Sequence, residues 1–232
     1  MIPGEEPVSV SLLYTARLGG DLALLPRLMT RIQQVRFRSA ALNFLVDLGR
    51  ACLPETWICT ATNGLGMLVA MDGMSYDAFH IGPQDALYAR PQEVMKLRET
   101  IATPLAAGPW VATASRRGII LAFGATADFH APQPATLHVI LRQTDRPSTA
   151  LETRDNRLYL MLDAGGDRQV PLLGRLDLML MQNVRESRIM DQHELDIPTD
   201  LAPEPSITSV IEFVESEARR FENRETGRKG EG

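Results

Sequence analysis

At 232 residues, 44% of them hydrophobic and 23% charged, the chain is long enough to bury a substantial core and has an ordinary globular composition. A formal net charge of -5 and a pI near 5.4 exclude the broad basic face of a general nucleic-acid binder. The opening residues, MIPGEEPVSV, carry two acids and no apolar run, and no stretch approaches the roughly 20 apolar residues that span a bilayer, so a cytoplasmic protein without a membrane partner is expected.

In chain order, Val8, Val10, Leu12 and Tyr14 alternate as on one face of a strand. Asp21 is placed to cap the helix that follows, with Pro26 in its first turn and Leu25, Leu28, Met29, Ile32 and Val35 as its apolar stripe. ALNFLVDLG is a nearly all-apolar second strand, the pattern of a sheet covered on both sides. Cys52 and Cys59 are too far apart for a C-x-x-C motif and give no disulfide framework, so each is expected as a small buried hydrophobe. Leu65 to Met71 reads as a short helix closed by Gly73, YDAFHIG as a third strand, and PQEVMKLRETIA as a helix with Val94, Leu97 and Ile101 inward. Such successive β-α units imply parallel strands with right-handed crossovers.

The second half is strand-rich: GPWVATAS, GIILAFG, ATLHVILRQ, NRLYLMLDAGG, LGRLDLML and ESRIMDQHELDI. After LAPEPS, Ser206 is placed to cap a last helix whose stripe is Ile207, Val210, Ile211, Val214, Ala218 and Phe221. Met67, Met71 and Met74 read as packing residues, and ESEARRFENRE as the solvated face of the last helix. The division expected is an extension over 1–7, one domain over 8–223 and a disordered tail over 224–232. Basic charge is almost all arginine, with Lys96 and Lys229 the only lysines, which reads as genome composition or thermal adaptation.

Five blocks, in order, resemble the calcineurin-like metallophosphoesterases, specifically the catalytic domain of the 5′-nucleotidase branch. LLYTARLGGDLALLPRL is similar to that family's first loop, L-L-H-T-N-D-x-H-G before a helix. FLVDLGRACLPET resembles the strand that ends in D-x-G-D, and MLVAMDGMSYDAFHIGPQD the helix and G-Y-D-A that precede G-N-H-E. LHVILRQTDRP lies where the family delivers G-G-H-x-H, and LLGRLDLML through SITSVIEFVE resembles its closing strands and terminal helix. The resemblance implies a four-layer αββα sandwich of two mixed sheets, shortened between Phe123 and Leu137. It stops at the terminal helix, so the C-terminal substrate domain of many 5′-nucleotidases is not expected.

The family holds two metal ions with carboxylates, histidines and an asparagine at the strand ends, where they clamp phosphate and generate a hydroxide. In this sequence Arg17 takes the first aspartate position, Gly19 the first histidine and Arg50 the bridging aspartate. Pro83 and Gln84 replace the asparagine and the next histidine, and Thr144 and Arg146 the paired histidines. These side chains cannot stand in for anionic ligands, so no metal, no cofactor and no catalytic residue is expected. His80 and His138 read as satisfied or edge-facing strand histidines, and His193 falls near the closing strands.

The resemblance therefore implies a catalytically inactive relative with a binding, assembly or regulatory role, through a protein partner or self-association. One ligand is specific: Arg17, Arg50, Arg142 and Arg146 would converge on the old metal pocket. There they would hold phosphate or a phosphorylated small molecule, helped by N–H donors of Gly19 and Gly20. Ion pairs with Asp21, Asp47, Glu55, Asp85 and Asp145 are the plainer account of those arginines. The alternative is a phosphoester hydrolase with an atypical metal centre around Asp47, Asp85 or His130.

Overall fold

The computed structural model describes residues 6–85, 87–126, 129–131, 134–165 and 170–229, with side chains followed to 222. Alternation in β1 (Val8–Ala16) sends Val10, Leu12 and Tyr14 to one side of a sheet and Leu13 to the other, all of them buried. β1 lies parallel to β2 (Leu42–Asp47), which is followed by β3 (Ala78–His80) and the two-residue β4 (Leu105–Ala106), also parallel. On its other edge β1 pairs antiparallel with β10 (Leu172–Leu180), and β10 with β11 (Arg188–Glu194).

The second sheet runs β5 (Ala112–Arg116), β6 (Ile119–Gly124), β7 (Leu137–Arg142), β9 (Arg157–Ala164), β8 (Pro147–Arg154). Its three central strands are parallel and its two edges antiparallel. The molecule is thus an α/β fold of two mixed sheets. Between the sheets lies one apolar core, with Leu12, Phe44, Phe123, Val139, Leu160 and Leu178 among its members.

A second core lies between the six-stranded sheet and the helices α1 (Leu25–Arg38), α2 (Trp57–Ala61), α3 (Leu65–Asp72), α4 (Pro91–Thr100) and α5 (Pro205–Lys229). Pro26 sits in the first turn of α1, as the sequence predicts, but Asp21 caps a short 3-10 turn ahead of that helix by accepting from Leu24 N, and α1 itself has no side-chain cap. Ser206 does not cap α5: Pro205 already belongs to the helix, and the Ser206 hydroxyl donates to Glu204 Oε1. α5 also runs to Lys229, beyond the point at 224 where a disordered tail was expected; residues 230–232 lie outside the described residues.

The helical layer covers the six-stranded sheet. Over the outer face of the five-stranded sheet the described residues supply a loop, not a helix. Phe129 of that loop packs so tightly on Gly124 that an added Cβ there would meet its ring at 2.3 Å. This loop falls in the block between Phe123 and Leu137 that the sequence marks as short.

Cys52 and Cys59 are joined in a disulfide, a correction to the reading of two separate buried thiols. The chain after β2 turns back into α2 and brings the two Cα atoms to 5.6 Å, within the range a bridge requires. Both cysteines are buried, as expected.

Candidate functional site

β1 and β2 end side by side, and the loops that follow them are zipped together through backbone. Arg17 N donates to Gly49 O at 3.0 Å, Gly19 N to Arg50 O at 3.1 Å and Gly20 N to Ala51 O at 2.7 Å. The two glycine N–H groups expected to hold an anion are therefore spent on carbonyls. Arg17 and Arg50 both adopt left-handed backbone, at φ 59 and φ 57, a conformation that is unusual for a side chain this large. Their turns are held by the zipper and by Asp85, whose Oδ1 accepts from Arg50 N at 2.7 Å.

The arginine side chain of the first loop is fully engaged. Arg17 is only 7% exposed, and its guanidinium donates to Ala164 O at 2.5 Å, Gly165 O at 2.8 Å and Val170 O at 3.1 Å. It fastens the end of β9 to the end of β1. Gln143, just beyond β7, fills the space on the other side. Its Nε2 donates to Asp85 Oδ2 at 2.5 Å and Leu48 O at 3.2 Å, while its Oε1 accepts from Gln84 N at 3.1 Å. A Cβ at Gly49 would lie 1.7 Å from that amide nitrogen, so only glycine admits Gln143.

Three carboxylates border this filling, and both oxygens of each accept a hydrogen bond from within. Asp85 also accepts from Gly82 N, and Asp163 accepts from Thr144 N and Gly165 N. Asp47 accepts from the Thr15 hydroxyl at 2.8 Å and Gly49 N at 2.8 Å, and Thr15 in turn meets the Tyr76 hydroxyl at 3.0 Å. Burial pushes the Asp47 carboxyl up to about 7 despite those two hydrogen bonds, and the neighbouring Asp85 charge adds to the rise. Burial raises Asp85 as well, against its bonds to Gln143, Gly82 and Arg50. The remaining cavity, lined by Arg17, Arg50, Gln84, Arg142, Gln143 and Asp163, measures about 10 Å³, room for one water at most.

No family model matches the sequence, and no curated protein is similar to it by sequence. Solved structures are similar in fold. A calcineurin-like phosphoesterase, YfkN from Bacillus subtilis, superposes with a TM-score of 0.59 at 12% identity, over 93% of this chain and 99% of its own. The chain has a metallophosphoesterase-like fold. A 5′-nucleotidase precursor from Thermus thermophilus gives a TM-score of 0.62 at 10% identity over 91% of this chain. The sulfate thiohydrolase SoxB, also from Thermus thermophilus, gives 0.59 at 9% identity over 95%. The chain spans 59% and 62% of those last two proteins.

On this metallophosphoesterase-like fold the residues at the strand ends do not fit a pair of metal ions. Among the described residues no group of three or more His, Cys, Asp or Glu is placed to hold one. The donor set is three guanidinium groups, two glutamines and carboxylates whose oxygens already accept hydrogen bonds from within. Of the arginines expected to converge, Arg17, Arg50 and Arg142 do line one cavity, while Arg146 is exposed and does not line it. The residues named for an atypical centre are split. Asp47 and Asp85 are neighbours, but His130 lines a separate cleft with Ile101, Thr103 and Trp110.

His80 and His138 are buried in β3 and β7, but the Nδ1 of each lacks a hydrogen-bond partner among the described residues, so neither is the satisfied histidine expected. Burial lowers both, His80 to about 4, and keeps them neutral. His193 instead pairs with Asp191 at 3.0 Å on β11. Sequence reasoning missed Gln143 and Asp163. Asp163 had a local signal, an aspartate two residues before glycine, the pattern of a side chain that caps its own turn. Gln143 had none beyond its place after an apolar strand.

Proposed function

We propose that this protein is a catalytically inactive member of the metallophosphoesterase-like fold whose role is binding, assembly or regulation. The observation that carries the reading is Arg17. It is a permanent cation tied to three backbone carbonyls, and the sequence resemblance aligns it with the family's first carboxylate ligand. Its charge repels a metal ion, and removing it from the position would open the end of β9. The test is turnover of a nucleotide panel and of bis-p-nitrophenyl phosphate with Mn added, beside metal analysis of untagged protein. No turnover and no stoichiometric metal are expected. Metal-dependent turnover that survives further purification and falls with Asp85→Asn overturns the reading in favour of a hydrolase.

A phosphate-type anion at the mouth of this site is a second reading, supported by Arg50 and Arg142 on the cavity wall and by exposed Arg146 nearby in sequence. With Arg17, Gly19 and Gly20 engaged, the anion would rest on these three outer arginines. A rise in melting temperature with phosphate that disappears in the Arg50→Ala, Arg142→Ala variant supports it, and no rise rejects it.

No helix among the described residues is long and apolar enough to cross a membrane. The Cys52–Cys59 bridge favours an oxidising compartment over the cytoplasm expected from the sequence. Absence of free thiols when they are alkylated in intact cells before lysis supports that setting, and two alkylated thiols reject it.

A further inference from the structure

The opposite end of the six-stranded sheet, where β2 begins, carries an open cleft of about 770 Å³. Its walls are the last turn of α1, residues 39–43, and the turn between β5 and β6, and its polar side chains include Arg36, Ser39, Asn43, Arg116 and Arg117. The volume falls within the range of small-molecule sites, and the wall is cationic on a chain that is acidic as a whole.

The three arginines are not equivalent. Arg116 is oriented: its guanidinium lies 4.5 Å over the Phe44 ring and pairs with Asp77 at 2.8 Å. Arg117 is exposed, presented by a left-handed turn at φ 49. Arg36 is the anomaly. It is half-buried and its guanidinium makes no hydrogen bond or ion pair among the described residues, although it has five donors to place.

Burial pulls Arg36 below its usual range, and only the Asp77 and Tyr76 fields support its charge while Arg116 opposes it. Asp77 is already taken by Leu45 N and Arg116. A cation that serves only the carbonyl end of α1 would stay in water, as exposed Arg38 does. Arg36 instead gives up part of its hydration against the cleft wall and keeps its guanidinium facing the open cleft, where an anion could reach it.

Asn43 adds a second unfilled demand. Its Nδ2 donates to Ala41 O at 2.8 Å, and its Oδ1 is shut from solvent with no donor. Asn43 lines the cleft, and a turn about its soft terminal amide torsion would exchange the Nδ2 bond to Ala41 O for a bond from a ligand hydroxyl to Oδ1. Three guanidinium groups against the one Asp77 carboxylate leave a local charge near that of two cations, a match for a phosphomonoester dianion.

We propose that this cleft binds a phosphomonoester of a small hydroxylated molecule, with Arg36, Arg116 and Arg117 on the phosphate oxygens and Asn43 Oδ1 accepting from a ligand hydroxyl. The site is separate from the strand-end cavity and does not depend on whether the protein turns over phosphoesters.

Calorimetric titration of the full chain at low salt tests it, with glycerol 3-phosphate and inorganic phosphate as probes. Glycerol 3-phosphate is expected to bind more tightly than phosphate. Arg36→Gln is expected to lower its affinity at least about tenfold, with the melting temperature checked for folding. The exposed Arg117→Ala variant is expected to lower it several-fold, and Asn43→Ala to erase the preference for glycerol 3-phosphate over phosphate. Absence of binding at about 10 mM of either probe, or binding that ignores Arg36→Gln and Arg117→Ala, overturns the proposal. Loss of binding in Arg50→Ala, Arg142→Ala with Arg36→Gln silent places the anion at the other end and also overturns it.

Discussion

Arg17 is a case in which one side chain holds several strand ends together. Its charge is satisfied by three carbonyls at once, so truncation leaves those acceptors unpaired in a buried place. Arg17→Ala is expected to cost about 2–4 kcal/mol in a denaturant titration, and Arg17→Lys to recover only part of it because an ammonium cannot span three acceptors in a planar fork. A loss below about 0.5 kcal/mol would show that the carbonyls find water instead. Asp47 gives a prediction in pH. Its folded carboxyl titrates near 7 against an ordinary 3.8, so the folded state holds the proton more tightly than the unfolded chain does. The stabilisation is full below about 4 and is lost as pH rises towards 7 and beyond, on the order of a few kcal/mol in all. Asp47→Asn should therefore melt with a flatter pH profile than the wild type between pH 4 and 8; identical profiles would reject the assignment. At this scale the sequence was informative about which side chains gather at the strand ends. Arg17, Arg50 and Gln84 all reach one cavity. It was silent on what fills the space, because Gln143 acts through an interior created by Gly49, a residue nearly a hundred positions away, and no local pattern announces that contact.

The paired loops after β1 and β2 act as one element, joined by backbone bonds and braced by the Cys52–Cys59 bridge against α2. Gly20 shows how tight the brace is: at φ 86, an added Cβ would lie 2.7 Å from both Cys59 Sγ and Thr56 Cγ2. The bridge closes a short loop, for which chain entropy gives about 2–3 kcal/mol. Reduction, or Cys52→Ser with Cys59→Ser, is expected to lower stability by about that much and to speed amide exchange in α2 before other helices. Unchanged stability and exchange would make the bridge incidental. Elements with a strong period were legible: β1, β2, α1, α4, β7 and β10 fall where alternation or helical spacing puts them. β8 was not, since Pro147–Arg154 is an edge strand, mostly polar and half-exposed, that begins with proline and shows no apolar face. The two-residue β4 is too short for any period, and the cysteine pair was missed because its geometry is set by the turn into α2 rather than by spacing.

For the whole molecule the decisive feature is that β1 belongs to two cores. Leu12 faces the space between the sheets and Leu13 the helices, and both are fully buried. If the two cores folded independently, adjacent substitutions in one strand would damage different transitions. The strand is instead paired on both sides, to β10 and β2, and neither core can form without it. Leu12→Ala and Leu13→Ala are each expected to cost about 2–5 kcal/mol and to move one common transition, by roughly 2–4 °C per kcal/mol. Far-ultraviolet circular dichroism follows helices and sheets together, while fluorescence of Trp57 and Trp110 follows the helical side, where Trp110 packs against the core. Coincident curves in both variants are the expected result. If Leu12→Ala left the tryptophan transition in place while part of the dichroism melted early, the five-stranded sheet would be a separately folding layer. The strand-end cavity and the cleft beside Arg36 would then answer to different stabilities, because β9 and the β5–β6 turn would loosen before the loops after β1 and β2.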